Sequence, residues 1–375
     1  MLSRRHLIAM AGALAVSPDA NAAEARNRPG YPRSYDRLIE EARREKTFVI
    51  YTTMFPIDLR DAFADFRSVY PFIKIEYVLL AAGQTMRRVA AESAQREGTA
   101  DLVWLHSMDE SVKLINDGYA QAYNSPEKPG LPEWAVWRNE GWAITAEPAV
   151  MVYNKDLVPA ADVPKSRDDL EKLLRRKTAY YSGKVGTYSA ASSGVGFRFF
   201  SEDIRINRDT WSLIQAIADC DPTLYPSSEQ MVNAVKAGKI AIAYNVLGTH
   251  AFEGAKEQES LGVVLPSEYT QMNSNIAFIP KEALHPSAAR LFLDYVLSER
   301  GQRIFTRRSY TPVNMKVLET SDVPHPEAHL IHAVRMGPGV LANTDVISRA
   351  KFVDRWSRIM RAATLAPSKL PDVMP

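Results

Sequence analysis

A chain of 375 residues is longer than one small core requires and leaves room for about two domains. Hydrophobic residues at 46% and charged residues at 24% argue against a disordered chain. A formal net charge of +2, with no basic run interleaved with aromatics, argues against a nucleic-acid partner. Cys220 stands alone, so the chain has no internal disulfide and no thiolate zinc site; a buried, inert thiol is expected.

In chain order, Arg4 and Arg5 precede a short apolar and small-residue run, 7–16, and then Ala20-Asn21-Ala22-Ala23. This is the layout of a secretory signal peptide, and the run is too short to span a bilayer. Ser3-Arg4-Arg5-His6-Leu7 also resembles a twin-arginine export motif. Residues 1–23 are therefore expected to be an export segment, and the mature chain a soluble periplasmic protein. Ser34 opens a helix striped by Leu38, Ile39 and Ala42. Residues 47–51 (Thr-Phe-Val-Ile-Tyr) read as a buried strand. Asp58 can cap a helix that places Leu59, Phe63, Phe66 and Tyr70 on one face, and Pro71 stops it. A strand at 72–80, a turn at 81–85, a helix to about 97 and a strand at 100–105 follow.

Strand, helix, strand, helix, strand predicts right-handed crossovers and a parallel sheet. Ligands on such sheets bind beyond the carboxyl ends of the strands. Those ends are Thr52-Thr53, Gly83-Gln84-Thr85 and His106-Ser107. After a Pro- and Trp-rich stretch, 126–142, strands are expected at 149–153, 184–188, 240–244, 261–265 and 275–279. Ser166 caps a helix, with Asp169 three residues on, and Ser227 or Ser228 caps another that ends at Gly238. A helix from Ser287 and a last one carrying Val353, Trp356 and Met360 complete the pattern.

Several phrases carry a resemblance in their order. They are 166–174 followed by Gly183-Lys184-Val185-Gly186; the helix-to-strand unit 235–244; the helix 289–302 ending in Ser298-Glu299-Arg300-Gly301-Gln302; and Tyr310-Thr311-Pro312-Val313. Over residues 45–315 the chain resembles the family 1 extracellular solute-binding proteins of ABC importers, in the branch of ferric-iron and organophosphate binders. The resemblance implies an α/β, two-lobed periplasmic-binding-protein fold of type II-like form. Each lobe would be a mostly parallel sheet flanked by helices: 34–150 plus 276–365 in lobe 1, and 151–275 in lobe 2. Hinges would lie near 150–154 and 273–279. It further implies a monomer with no cofactor, no catalysis and no resident metal, which closes on a small anionic ligand and passes it to ABC permease subunits in the inner membrane. A ferric-iron carrier and a sensor feeding a two-component kinase remain as alternatives.

The candidate ligand-binding residues follow. At Ser189 to Gly196 small residues start a helix, where free N–H groups and the helix dipole favour an anion, with Ser189, Ser192, Ser193 and Gly194 as its donors. Thr52, Thr53, Gly83, Gln84, Thr85, His106 and Ser107 offer donors from the other lobe, and Asn275 lies in the return hinge. A ferric-iron binder of this branch is expected to carry two adjacent tyrosines at Tyr244-Asn245; here the pair is broken, which leaves a hydrogen-bonding site suited to a phosphate, phosphonate or carboxylate. Tyr180-Tyr181 is expected to pack, and His250 to lie at the surface or against the ligand body. His325, His329 and His332 fall at helical spacing, and an exposed helix face is the expectation there rather than a metal site. No nucleophile elbow, zincin or dinucleotide motif is present.

Overall fold

Phe48 and Ile50 are wholly buried and fix the centre of the first sheet. The computed structural model describes residues 31–96, 98–361 and 364–365; the expected export segment, 1–23, lies outside them. The first elements are α1 (Tyr35–Glu45), β1 (Thr47–Thr52), α2 (Pro56–Val69), β2 (Lys74–Leu79), α3 (Ala82–Gln95), β3 (Leu102–Leu105) and α4 (Met108–Asn116). β1 pairs in parallel with β2 on one side and β3 on the other, as the strand–helix alternation predicts. α2 begins earlier than Asp58 suggests. Pro56 takes the first helical position, where its missing N–H costs nothing, and Phe55 is the N-cap. Asp58 falls in the first turn and pairs with Arg308 at 3.3 Å.

β4 (Val136–Trp137) and β5 (Gly141–Ala143) extend this sheet as a hairpin, and the chain then crosses into β6 (Glu147–Asn154) of a second sheet. There follow α5 (Arg167–Arg176), β7 (Val185–Tyr188), α6 (Gly194–Ile206), α7 (Thr210–Ala218), β8 (Thr223–Tyr225), α8 (Ser228–Lys236), β9 (Ile242–Leu247), α9 (Gly248–Glu257), β10 (Leu261–Val264) and β11 (Thr270–Asn273). The serines at helix starts behave as read. Ser166 accepts from Asp169 N–H at 3.0 Å, and Ser227 rather than Ser228 caps α8, accepting from Gln230 N–H at 3.3 Å. Gly238 ends α8 with φ +66°, a conformation that costs glycine nothing.

The chain returns through β12 (Ile276–Phe278) to the first sheet, which α10 (Pro286–Leu297) covers by setting Phe292 against Phe48 and Phe66. α11 (Glu299–Thr306) follows. The first sheet runs β2-β1-β3-β12-β5-β4, with β12, β5 and β4 antiparallel to their neighbours. In the second sheet β6 is antiparallel to β9, β10 and β11. The sheets are thus mixed rather than mostly parallel. The strands that carry the chain between lobes enter against the direction of the βαβ units. The two crossings lie at 144–146 and 274–275, each tied to the other where Asn275 N–H donates to Thr145 Oγ1 at 3.2 Å.

The two faces of the second sheet bury separate apolar clusters. Met151 contributes to one and Val150 and Val152 to the other, following strand alternation. The last segment departs from the expected boundary of 276–365 within lobe 1. β13 (Ile331–Ala333) pairs with β11 of the second sheet. α12 (Pro338–Leu341) then packs on α4 of the first lobe, with Val340 in that lobe's core. α13 (Val346–Ile359) crosses back, setting Phe352 against Phe197 and Trp211, and Trp356 against Phe200. β14 (Thr364–Leu365) pairs with β8. The aromatic face of α13 explains the choice: Phe352 and Trp356 find ring partners on the second lobe.

Candidate functional site

A cleft of about 420 Å³ opens between the lobes, within the range of small-ligand pockets. The first lobe supplies Thr53 and Phe55 beyond β1, Ile57 and Asp58 of α2, and His106 beyond β3. The second supplies one side of α8 and one side of α9 along its length, notably Glu229, Thr249, His250, Glu253 and Glu257. Arg308 and Tyr310 close the floor.

The Thr53 hydroxyl organises the first-lobe wall. It accepts from the His106 backbone N–H at 2.8 Å and lies 3.0 Å from His106 Nδ1. Burial, with smaller pushes from His250 and Arg198, lowers His106 to about 4. Burial also lowers His250, although Glu229, Asp58 and Glu253 oppose it. Two neutral imidazoles, one from each lobe, therefore meet the cleft, each with one donor and one acceptor nitrogen. The acidic side chains around them are mostly engaged. Asp58 pairs with Arg308, Glu253 with Lys256 at 3.1 Å, and Glu257 with Lys236 at 2.6 Å. Phe55 and Ile57, each 47% exposed, give the mouth an apolar edge.

Glu147 marks the first crossing. It accepts from Thr249 Oγ1 at 2.7 Å, Thr145 Oγ1 at 3.2 Å and Asn275 Nδ2 at 3.3 Å. Burial nevertheless pushes its carboxyl up to about 7. Nearby, Arg198 of α6 is 2% exposed. Its Nε donates to Asn273 Oδ1 at 3.0 Å, while Nη1 is buried with no partner. Asn273 Nδ2, Ser274 Oγ, Thr311 Oγ1 and Asp109 Oδ1 are likewise buried and unpartnered.

Of the sequence-derived candidates, Thr53 and His106 line the cleft and Asn275 stands at the crossing. Thr52 is wholly buried beneath them and accepts from Met54 N–H at 3.0 Å. Ser107 donates to Glu110 at the start of α4. Gly83, Gln84 and Thr85 lie outside this cleft. Gln84 accepts from Ala81 N–H at 3.1 Å and Thr85 donates to Ala81 O at 3.2 Å, so they shape the start of α3. Ser189 accepts from Ser192 N–H at 3.3 Å and Ser193 from Gly196 N–H at 3.1 Å, which builds the expected turn; Ser192 and Gly194 are exposed. Gly196 is required there, because a Cβ would sit 2.5 Å from Tyr188 Cβ.

Tyr244 and Asn245 point elsewhere. The Tyr244 hydroxyl donates to Asp203 at 2.7 Å and accepts from Arg167 Nε at 3.0 Å, and Asn245 Nδ2 donates to the same carboxylate at 3.0 Å. Asn245, at φ +62°, sits where the β6–β9 register shifts, and both side chains turn into the interior of the second lobe. His325, His329 and His332 share no helix. His332 is in β13, 2.9 Å from Glu202 Oε1. Among the described residues no group of three His, Cys, Asp or Glu side chains could hold a metal ion. Cys220 is buried, and burial pushes its thiol up to about 11. Sequence reasoning passed over Arg198, Glu147 and Thr249. A lone arginine among Phe197, Phe199 and Phe200 was the available signal for the first.

The family model described as bacterial extracellular solute-binding protein matches residues 57–303. The substrate-binding protein of the ABC transporter from Agrobacterium tumefaciens shares 30% identity with a TM-score of 0.73, covering 84% of this chain and 94% of its own. Iron-bound HitA from Pseudomonas aeruginosa (TM-score 0.65, 18% identity, 82% and 99% covered) shares the fold. So does AfuA from Actinobacillus pleuropneumoniae, solved with exogenous fructose-6-phosphate bound (TM-score 0.62, 17% identity, 85% and 100% covered). No helix among the described residues is long and apolar enough to cross a membrane. Proteins of this family bind solutes without transforming them, and this chain belongs to the bacterial extracellular solute-binding proteins, as the solute-binding component of an ABC transporter.

Proposed function

We propose that the chain captures a small organic anion, bearing a phosphate, phosphonate or carboxylate, by closing its lobes around it in the periplasm, and presents it to the permease. One observation carries this reading: a cleft is lined from both lobes by hydrogen-bonding groups, Thr53 and His106 from the first and Thr249 and His250 from the second, with Arg308 and Lys236 beside them and the carboxylates Asp58, Glu253 and Glu257 held in ion pairs. A ligand that touches both walls favours the closed form by the contacts it makes only there. The apolar edge at Phe55 and Ile57 suits an organic body. Ferric iron is disfavoured, because the Tyr244 hydroxyl is committed to Asp203 and Arg167.

Thermal melts across a panel of phosphates, phosphonates and carboxylates test this. At a hundredfold excess over Kd, binding stabilises by about 2.7 kcal/mol, so at least one compound should raise Tm by several degrees. Silence from the whole panel would count against an anionic ligand. Native mass spectrometry of protein purified without refolding would then show what occupies the cleft.

A further inference from the structure

Arg198 is the fifth residue of α6, in a run where Phe197, Phe199 and Phe200 are all buried. A guanidinium in such a place is costly unless its charge and its N–H groups are answered. Here they are answered only in part. Nε is satisfied by Asn273, and Nη1 is buried without a partner. The group lies near the lobe junction. Its charge is felt by His106, Asp109 and Glu110 of the first lobe and by Glu147 at the crossing. Beside it, on the return between the sheets, Asn273 Nδ2 and Ser274 Oγ are also buried and unpartnered. Buried polar groups are rarely left unpaired, so a cluster of them calls for a partner that the chain itself does not supply. The open groups here are a guanidinium N–H, an amide N–H and a hydroxyl, which is a donor set for an oxyanion.

We infer that Arg198 is the anion anchor of the ligand: a carboxylate or phosphate-type oxyanion sits on its free Nη1 and on the unpartnered donors of Asn273 and Ser274, between α6 and the second crossing. Asp109, whose Oδ1 also lacks a partner, takes a hydroxyl of the same ligand from the first-lobe side. The ligand class is therefore a hydroxylated organic acid or phosphate rather than a bare anion. This rests on the solute-capture reading and narrows it.

The test uses the full mature chain as wild type and as Arg198→Gln, Arg198→Lys and Ser274→Ala. The probes are inorganic phosphate, fructose 6-phosphate, citrate and, as a neutral control, glucose. Calorimetric titration and melting curves are read together. The wild type is expected to bind fructose 6-phosphate or citrate more tightly than inorganic phosphate, and not to bind glucose. Arg198→Gln should weaken that binding at least 30-fold while its unliganded Tm stays level or rises. Arg198→Lys should recover part of the loss. Ser274→Ala, which spares the guanidinium, should weaken the same probe about tenfold. A purely structural arginine would instead lower the unliganded Tm and leave affinity in step with stability. Binding at wild-type strength in Arg198→Gln, or a wild type that takes none of the three anions, overturns the assignment. If glucose alone binds and compacts the protein in X-ray scattering, solute capture stands and the anchor falls. If neither the probes nor a periplasmic metabolite extract compacts it, both fall.

Discussion

Glu147 stands where the chain first crosses between sheets, and its protonation ties hinge stability to pH. Burial lifts its carboxyl from the ordinary 4.5 to about 7, so the folded state holds the proton over a range where the unfolded state has lost it. The native form then binds more protons than the unfolded form between those values, and stability falls as pH rises through them. One pKa unit is about 1.4 kcal/mol, so the loss is on the order of 3 kcal/mol by pH 8. Glu147→Gln keeps the shape without the charge. In urea melts it should exceed the wild type by about 1–3 kcal/mol at pH 8 and converge with it near pH 4. An equal difference at both pH values would remove Glu147 as the cause. At this scale the sequence was informative where chemistry follows from position in the chain. Thr53 and His106 could be named because they end strands. Tyr244 and Asn245 were named too but lie outside the cleft, because which face a strand residue takes depends on register, and the shift beside Asn245 turns both side chains away.

Helix α6 is the element that joins the candidate site to the hinge. Its start is the Ser193-capped turn, Arg198 reaches Asn273, and Asp203 one turn further receives Tyr244, Asn245, Tyr269 and Gln271. Asp203 also pairs with Arg167 at 3.0 Å, and both are buried. Asp203→Ala would leave that arginine only Glu268, at 3.0 Å, as a carboxylate partner and would leave the donors of Tyr244, Asn245, Tyr269 and Gln271 unanswered, and it should cost about 3–5 kcal/mol in equilibrium unfolding. Tyr244→Phe removes two hydrogen bonds, one to Asp203 and one from Arg167, should cost about 1.5–3 kcal/mol, and should leave ligand response unchanged. A changed response in Tyr244→Phe would return that residue to the binding site. The existence of α6 was legible from its serine cap and its phenylalanines. Its coupling to β11 was not, since Gln271 and Asn273 lie some seventy residues away along the chain. The start of α2 shows a local conflict instead: Asp58 has a cap's chemistry, but Pro56 is pre-set for the first helical position.

At the scale of the molecule, the first sheet was readable from alternation of strand and helix and the two lobes from the family resemblance, while the path of residues 338–361 was not. Apolar spacing in α13 shows that it packs, but not on which lobe. The structure runs it from Val340 in the first core to Trp356 in the second. Ending the chain after Gly337 should therefore lower Tm and enlarge the radius of gyration in solution scattering, because Phe197, Phe200 and Trp211 lose their cover and the lobes lose a link. Unchanged scattering and Tm would show that this link bears no load.

If the lobes close on a solute as proposed, that same segment also sets how far the mouth would gape. Between α12 on one jaw and α13 on the other lies only the 3₁₀ turn Ala342–Thr344 and Asp345. Drawn straight, from about 2.0 to about 3.4 Å per residue, that turn yields roughly 4 Å of play. A wider yawn has to peel one helix from its seat, so admission of solute would proceed first on a short leash and then by detachment.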